Sequence, residues 1–220
     1  MSSDLLEKGA ILQRDKVTYA VAPHTPGGLV TPAVLRKIAD VAEKYQVAAL
    51  KMTSSNRMAI VGLKEEDLDA VWKELDMDPG CAIGPCMRSI RFCPGTAFCK
   101  RGQQDAVALG LELNKLYHGI QLPQKMKIGV SGCQNSCAES AVRDIGITGT
   151  AKGWTLMVGG NAAGIHPRLA NVIGENLTTD EVFNMVEKII NYFKNCGIKK
   201  RLGRIIDEIG LEEFKAQALK

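Results

Sequence analysis

Apolar and polar positions along the first third of the chain follow two alternating periods. Val17-Thr-Tyr-Ala-Val-Ala22 reads as a strand, closed by the turn Pro26-Gly27-Gly28. Thr31-Pro32 then supplies a helix start, a hydroxyl able to cap followed by a proline already set for the first helical position. Behind it Val34, Leu35, Ile38, Val41, Ala42 and Tyr45 recur at helical spacing. Val47–Met52 and Met58–Gly62 read as two strands joined by the polar turn Thr53-Ser-Ser-Asn56. Leu68, Val71, Trp72 and Leu75 mark a second helix. The order β-α-β-β-α predicts a ferredoxin-like half-module over residues 10–76.

The pattern breaks at Asp76-Met-Asp-Pro-Gly80, and residues 81–99 read as a loop. A helix is predicted over 101–118 and a strand over Lys125–Val130, running into the Gly-Cys segment 132–137. Asp144–Thr148 and Trp154–Val158 read as short strands. Thr178-x-x-Glu181 has the form of a capping box, and Val182, Phe183, Val186, Ile189, Ile190 and Phe193 form a helical stripe behind it. Two short helices are predicted over 201–209 and 211–219. The chain is thus expected to be α+β, its half-module followed by an α/β domain over 81–220.

Composition narrows this picture in one respect. At 220 residues, 45% apolar and 24% charged, the chain is an ordinary globular one, which excludes disorder, collagen and coiled coil. The charge balance, 28 − 24 = +4, comes from scattered residues, so no nucleic-acid partner is expected. No run approaches 18 apolar residues and the first fifteen residues lack an apolar signal core, so no membrane span and a cytoplasmic location are expected. The seven cysteines are the unusual number. In a reducing compartment an odd set is buried thiols, ligands or catalysts rather than a disulfide framework.

Spacing sorts them. Cys93-x5-Cys99 and Cys133-x3-Cys137 each lie in a glycine-containing loop, where the backbone can approach a shared centre. Neither pair has the C-x2-C spacing of a zinc knuckle, and a proline follows Cys93. That leans toward an iron–sulfur cluster and leaves zinc and unligated thiols as open readings. Cys81-x4-Cys86 reads as ordinary loop thiols or a second redox pair, and Cys196 as structural.

Cys93-Pro-Gly-Thr-Ala-Phe-Cys99, Ser131-Gly-Cys-Gln-Asn-Ser-Cys137 and Val142-Arg-Asp-Ile-Gly146 resemble the sirohaem-binding motifs of sulfite and nitrite reductases. The resemblance covers about residues 15–205, with Gln134 where the family has proline. It implies a [4Fe–4S] cluster on Cys93, Cys99, Cys133 and Cys137, with Cys137 bridging to the sirohaem iron and Asn135 beside the cofactor. Leu122-Pro-Gln-Lys-Met-Lys127 resembles the family segment whose two lysines face substrate. If 125–130 is a strand, Lys125 and Lys127 point the same way. Arg88 resembles the family's substrate arginine, and Arg57, in Thr53-Ser-Ser-Asn-Arg57, a sirohaem contact. Taken singly, each of these cations reads as a solvated surface charge.

Two departures carry expectations of their own. His24, in Ala22-Pro-His24-Thr-Pro-Gly-Gly28, stands nearest the place of a family arginine and is a candidate cation or proton donor. It also fits as a turn residue. His118 and His166 are weaker candidates, and Gly159–Gly164 lacks a dinucleotide fingerprint. Full-length relatives carry two copies of this module and this chain one, so a homodimer is expected, with sirohaem near the interface and the cations of one subunit facing the partner's cysteines. The implied activity is six-electron reduction of sulfite to sulfide, fed by an external donor such as a ferredoxin-like protein. Alternatives are nitrite reduction, a non-catalytic iron–sulfur electron carrier, and a zinc-binding structural domain. The basic excess then reads as counter-charge for an anionic cofactor and an oxyanion.

Overall fold

The computed structural model describes residues 3–77 and 79–220, in two compact units that meet between Gly84 and Pro85. In the first unit an antiparallel sheet has the order β1-β2-β4-β3, with β1 Ala10–Leu12, β2 Tyr19–Val21, β3 Ala49–Met52 and β4 Met58–Leu63. Helix α1, Pro32–Lys44, starts as its sequence predicts: Thr31 accepts a hydrogen bond from Val34 N–H and Pro32 follows it. Ile38, Val41 and Ala42 of α1 and Leu68, Val71, Trp72 and Leu75 of α2 (Leu68–Leu75) are buried, and all but Ala42 join one core with Tyr19, Val21, Ile60 and Leu63. The β-α-β-β-α order is present, with the three-residue β1 added, a strand too short to show a period. Among the described residues no helix is long and apolar enough to cross a membrane.

The second unit is built on a mixed sheet of order β5-β6-β7-β8-β9: β5 Arg91–Phe92, β6 Ile128–Ser131, β7 Ile145–Thr150, β8 Gly153–Val158 and β9 Asn171–Leu177. β5, β6 and β7 run parallel, and the β7–β8 and β8–β9 pairs are antiparallel. A short helix, α3 (Gly95–Phe98), and the helix α4 (Ala106–Tyr117) connect β5 to β6, the crossover a parallel pair requires. Asp105 accepts from the N–H groups of Val107 and Ala108, so α4 begins five residues later than its apolar pattern predicts. The capping box forms: Thr178 and Glu181 each accept from the other's backbone N–H, and α5 runs Thr179–Asn195. Its buried stripe packs with Leu202, Ile205 and Ile206 of α6 (Leu202–Ile209) and Phe214 of α7 (Leu211–Ala218).

Three local expectations need correcting. The strand predicted over Lys125–Val130 begins only at Ile128, so Lys125 and Lys127 precede it. Residues 81–99, read as a loop, contain β5 and α3. Cys81 and Cys86 are not free thiols; both are disulfide-bonded.

Candidate functional site

The cysteines of the two spaced pairs leave the sheet at one end. Cys93 directly follows β5, Cys133 lies two residues beyond β6, and these strands are parallel neighbours with Phe92 opposite Val130. Strands so paired lie about 4.8 Å apart, so both loops start from adjacent points. Glycine lets them close on each other: a Cβ on Gly132 would stand 2.7 Å from Gly95 Cα of the other loop, and within the first loop one on Gly102 would stand 2.5 Å from the Gly95 carbonyl carbon. Gly132 N–H donates to Cys93 Sγ at 3.0 Å, the kind of bond a sulfur bearing negative charge accepts. Ser136 takes a left-handed φ of 51°, which turns the chain between Cys133 and Cys137. Cys93, Cys99 and Cys133 are partly exposed and Cys137 and Asn135 exposed. Among the described residues no three His, Cys, Asp or Glu side chains gather around a single metal ion. Four thiols on two glycine-packed loops do fit a larger cluster, which needs ligands on all sides of a body several Å across.

The cations occupy the opposite end of the same strands. Arg88 precedes β5, Lys125 and Lys127 precede β6, and Arg143 and Asp144 precede β7. Met126 forms a parallel bridge to Met87 and is fully buried, while Lys125 and Lys127 on either side of it are half-exposed. The period-two alternation therefore holds here although the segment is outside β6. Arg88 N–H donates to Met126 O at 2.9 Å, and Arg88 Nη1 lies 3.5 Å from Cys86 Sγ. Lys127 is held below the ordinary lysine range, first by burial and then by Arg143, Arg201 and Lys125, with Asp144 opposing them. Arg88 is pushed down by burial and by the Arg201 charge.

Asp144, Arg143 and Arg201 were assigned no role by sequence reasoning. The carboxylate of Asp144 is buried, which pushes its pKa up, and the Arg201 guanidinium opposes that shift. Arg201 donates to both its oxygens, Nε at 3.0 Å and Nη2 at 2.6 Å. Arg143 ion-pairs with Glu139 at 2.5 Å and is otherwise buried, with its Nε hydrogen-bonded to none of the described residues. Asp144 lies within the recognisable Val142–Gly146 motif, but Arg201 is 57 residues away and nothing in the sequence couples them.

His24 and Arg57 belong to the first unit. Arg57 is 3% exposed and donates from Nη1 to Ala22 O at 2.9 Å. Thr25 Oγ1 donates to Asn56 O at 2.7 Å, so the 22–28 and 53–57 turns are latched together. His24 lines a cavity of about 590 Å³ with Pro26, Trp72, Lys73, Asp76 and Met77. His166 lies in the exposed 161–167 loop, and His118 follows α4, its N–H donating to Asn114 O. Cys196 closes α5 and donates to Phe193 O at 3.2 Å.

Comparison with known proteins bears on both units. The profile of the nitrite and sulphite reductase 4Fe-4S domain matches residues 83–220, and that of the nitrite/sulfite reductase ferredoxin-like half domain residues 11–78. The chain is 44% identical over 213 residues to the assimilatory-type sulfite reductase of Nitratidesulfovibrio vulgaris, covering 96% of this chain and 97% of that protein. It is 38% identical over 208 residues to a nitrite reductase [NAD(P)H] of Bacillus subtilis, covering 94% of this chain but only 26% of that protein. In fold it is similar to dissimilatory sulfite reductase I, with a TM-score of 0.82 at 17% identity over 91% of this chain and 69% of the other. The Mycobacterium tuberculosis NirA protein matches with a TM-score of 0.79 at 20% identity over 94% of this chain and 42% of that one.

Proposed function

This chain belongs to the nitrite and sulfite reductase family, oxidoreductases whose cofactors are sirohaem and a [4Fe–4S] cluster, and from that premise we propose that it reduces sulfite to sulfide. The observation that carries the reading is the cationic end of the sheet: Lys127, Arg143 and Arg201 act on one buried carboxylate, Asp144, with Arg88 close enough to feel Arg201 and Lys125 close enough to feel Lys127. Such an excess of positive charge in a half-buried place is suited to a small oxyanion. The preference for sulfite over nitrite rests on the near full-length likeness to an assimilatory-type sulfite reductase, whereas the match covers only 26% of the Bacillus subtilis nitrite reductase.

Residues 10–76 act in this reading as the ferredoxin-like half domain and 81–220 as the cofactor domain. Cys93, Cys99, Cys133 and Cys137 would hold the cluster, and Cys137 and Asn135 would also bind sirohaem. Arg57 is in this reading a sirohaem contact, and His24 a cation or proton donor. When bound, sirohaem and the cluster would supply the electron-transfer chemistry. The chain's part is to bind the sulfite oxygens and deliver protons: one hydrogen sulfite takes six electrons and six protons to give hydrosulfide and three waters. Arg88 offers a planar fork to two oxygens. Lys127, held below the ordinary lysine range, gives up a proton more readily than an exposed lysine does. An external donor such as a ferredoxin-like protein supplies the electrons.

The two ends of the sheet support a homodimer. β6 is four residues long, about 13 Å, and it stands between the lysines and Cys133 of the same chain. Cations of one subunit would then face the cysteines of its partner across sirohaem. Replacing Lys125 and Lys127 with methionine tests the oxyanion role: we expect turnover with sulfite to fall at least tenfold with sirohaem content unchanged, and undiminished turnover would refute it.

A further inference from the structure

Asp144 is given no task of its own in the reading above, yet it is the anchor of the lysine end. Its side chain is 1% exposed. Besides the two bonds from Arg201, its Oδ2 accepts from the main-chain N–H of Lys127 at 2.8 Å. The Lys127 carbonyl in turn accepts from Ile145 N–H at 3.2 Å. Lys127 is therefore gripped through both of its own peptide groups by two consecutive residues at the head of β7. Arg201 is the residue on which α6 starts, and Leu202, Ile205 and Ile206 of that helix are buried. Its guanidinium is thus delivered by an element fixed in the core. An unpaired carboxylate at this depth would take up a proton and lose much of its grip on the Lys127 N–H.

We propose that the Asp144–Arg201 pair is the positioning device of the oxyanion site, setting where Lys127 stands and adding the Arg201 charge to the field an oxyanion meets. This inference rests on the oxyanion reading of Lys127 given above. The groups that act on the Lys127 ammonium are Arg143, Arg201 and Lys125, which repel it, and Asp144, which attracts it. Removing the Arg201 charge takes a repulsion away from Lys127, while protonation of the unpaired Asp144 takes away the opposing attraction, so the two changes offset each other. A lysine at position 201 keeps the charge but cannot span both carboxylate oxygens as a planar fork does.

The test uses the cofactor-loaded enzyme with sulfite as the varied substrate, and sulfite binding is also read from the haem absorption of the resting protein. For R201Q we expect the sulfite KM and Kd to rise about tenfold, about 1.4 kcal/mol, while kcat changes less than threefold. R201K should raise KM and Kd as well. Wild-type KM and Kd in R201Q at full cofactor content would overturn the proposal. If R201Q does not load cofactor, R201K decides: raised KM and Kd support the proposal and wild-type values overturn it. K127M run in parallel separates the two levels. Unchanged sulfite binding in K127M defeats the oxyanion reading itself; weakened binding in K127M beside wild-type behaviour in the Arg201 variants defeats only the positioning role.

Discussion

Gly132 lies where a single atom decides whether the cysteine loops can meet. A Cβ there would come within 2.7 Å of both Gly95 Cα and the Gln104 carbonyl oxygen, and backbone cannot yield as a flexible side chain does. Gly132 also donates the hydrogen bond to Cys93 Sγ. We expect Gly132→Ala to lower bound iron by more than half, measured as iron and sulfide per chain, while thermal unfolding of the apoprotein still shows one folded transition. Full iron content in that variant would contradict the close packing of the two loops. The motif around Gly132 was legible in the sequence because ligand chemistry fixes residue type and spacing. The Asp144–Arg201 pair was not, since its partners are 57 residues apart and an arginine beside two lysines at 199 and 200 looks like any solvated charge run. Lys125 and Lys127 fell between: their common side was readable from their spacing, their place ahead of β6 was not.

At the scale of elements, legibility followed the strength of the local signal. α5 was readable because its capping box and its apolar stripe agree on one start. Thr178→Ala should cost about 1 kcal/mol of stability in denaturant unfolding, the usual worth of such a cap, with no change in cofactor content. Hydrogen bonds from Thr178 hold the Glu181 carboxyl below its ordinary range. A carboxylate depressed in the folded state stabilises above its unfolded pKa, and that contribution is lost as pH falls through the depressed value. The stability gap between wild type and Glu181→Gln is therefore expected to be open at neutral pH and to narrow in acid, and a gap independent of pH would contradict the box. β5 and β9 were illegible for a different reason. β5 is two residues long, and β9 (Asn171–Leu177) is an edge strand with no buried residue and an irregular register against β8, so neither shows a clear period of two. The disulfide bonding of Cys81 and Cys86 also escaped, because a C-x4-C spacing alone does not distinguish paired from free thiols.

For the whole molecule the decisive fact is that cations and cysteines of the second unit stand at opposite ends of its three parallel strands. If cations and cysteines serve one site, as proposed, a single copy of the module holds its two halves apart, whereas a symmetric pair would form two composite sites. That arrangement makes a sharp expectation for mixed subunits. Lys127→Met and Cys137→Ser chains are each expected to be inactive with sulfite. Randomly mixed in equal amounts before cofactor loading, half of the dimers would hold one chain of each kind and one intact site of two, giving about a quarter of wild-type activity. No recovery on mixing would refute the composite site, and size-exclusion chromatography of the loaded protein would show whether a dimer forms at all.

The central claim, that this protein carries sulfite through to sulfide, is tested most directly by product stoichiometry under a low-potential one-electron donor. Anaerobic incubation of the loaded protein with sulfite and reduced viologen should release one sulfide for each sulfite consumed, with six viologen radicals oxidised. Nitrite, offered under the same conditions, should show the lower kcat/KM. Oxidation of the donor without sulfide, or a higher kcat/KM for nitrite with ammonia as product, would contradict the account.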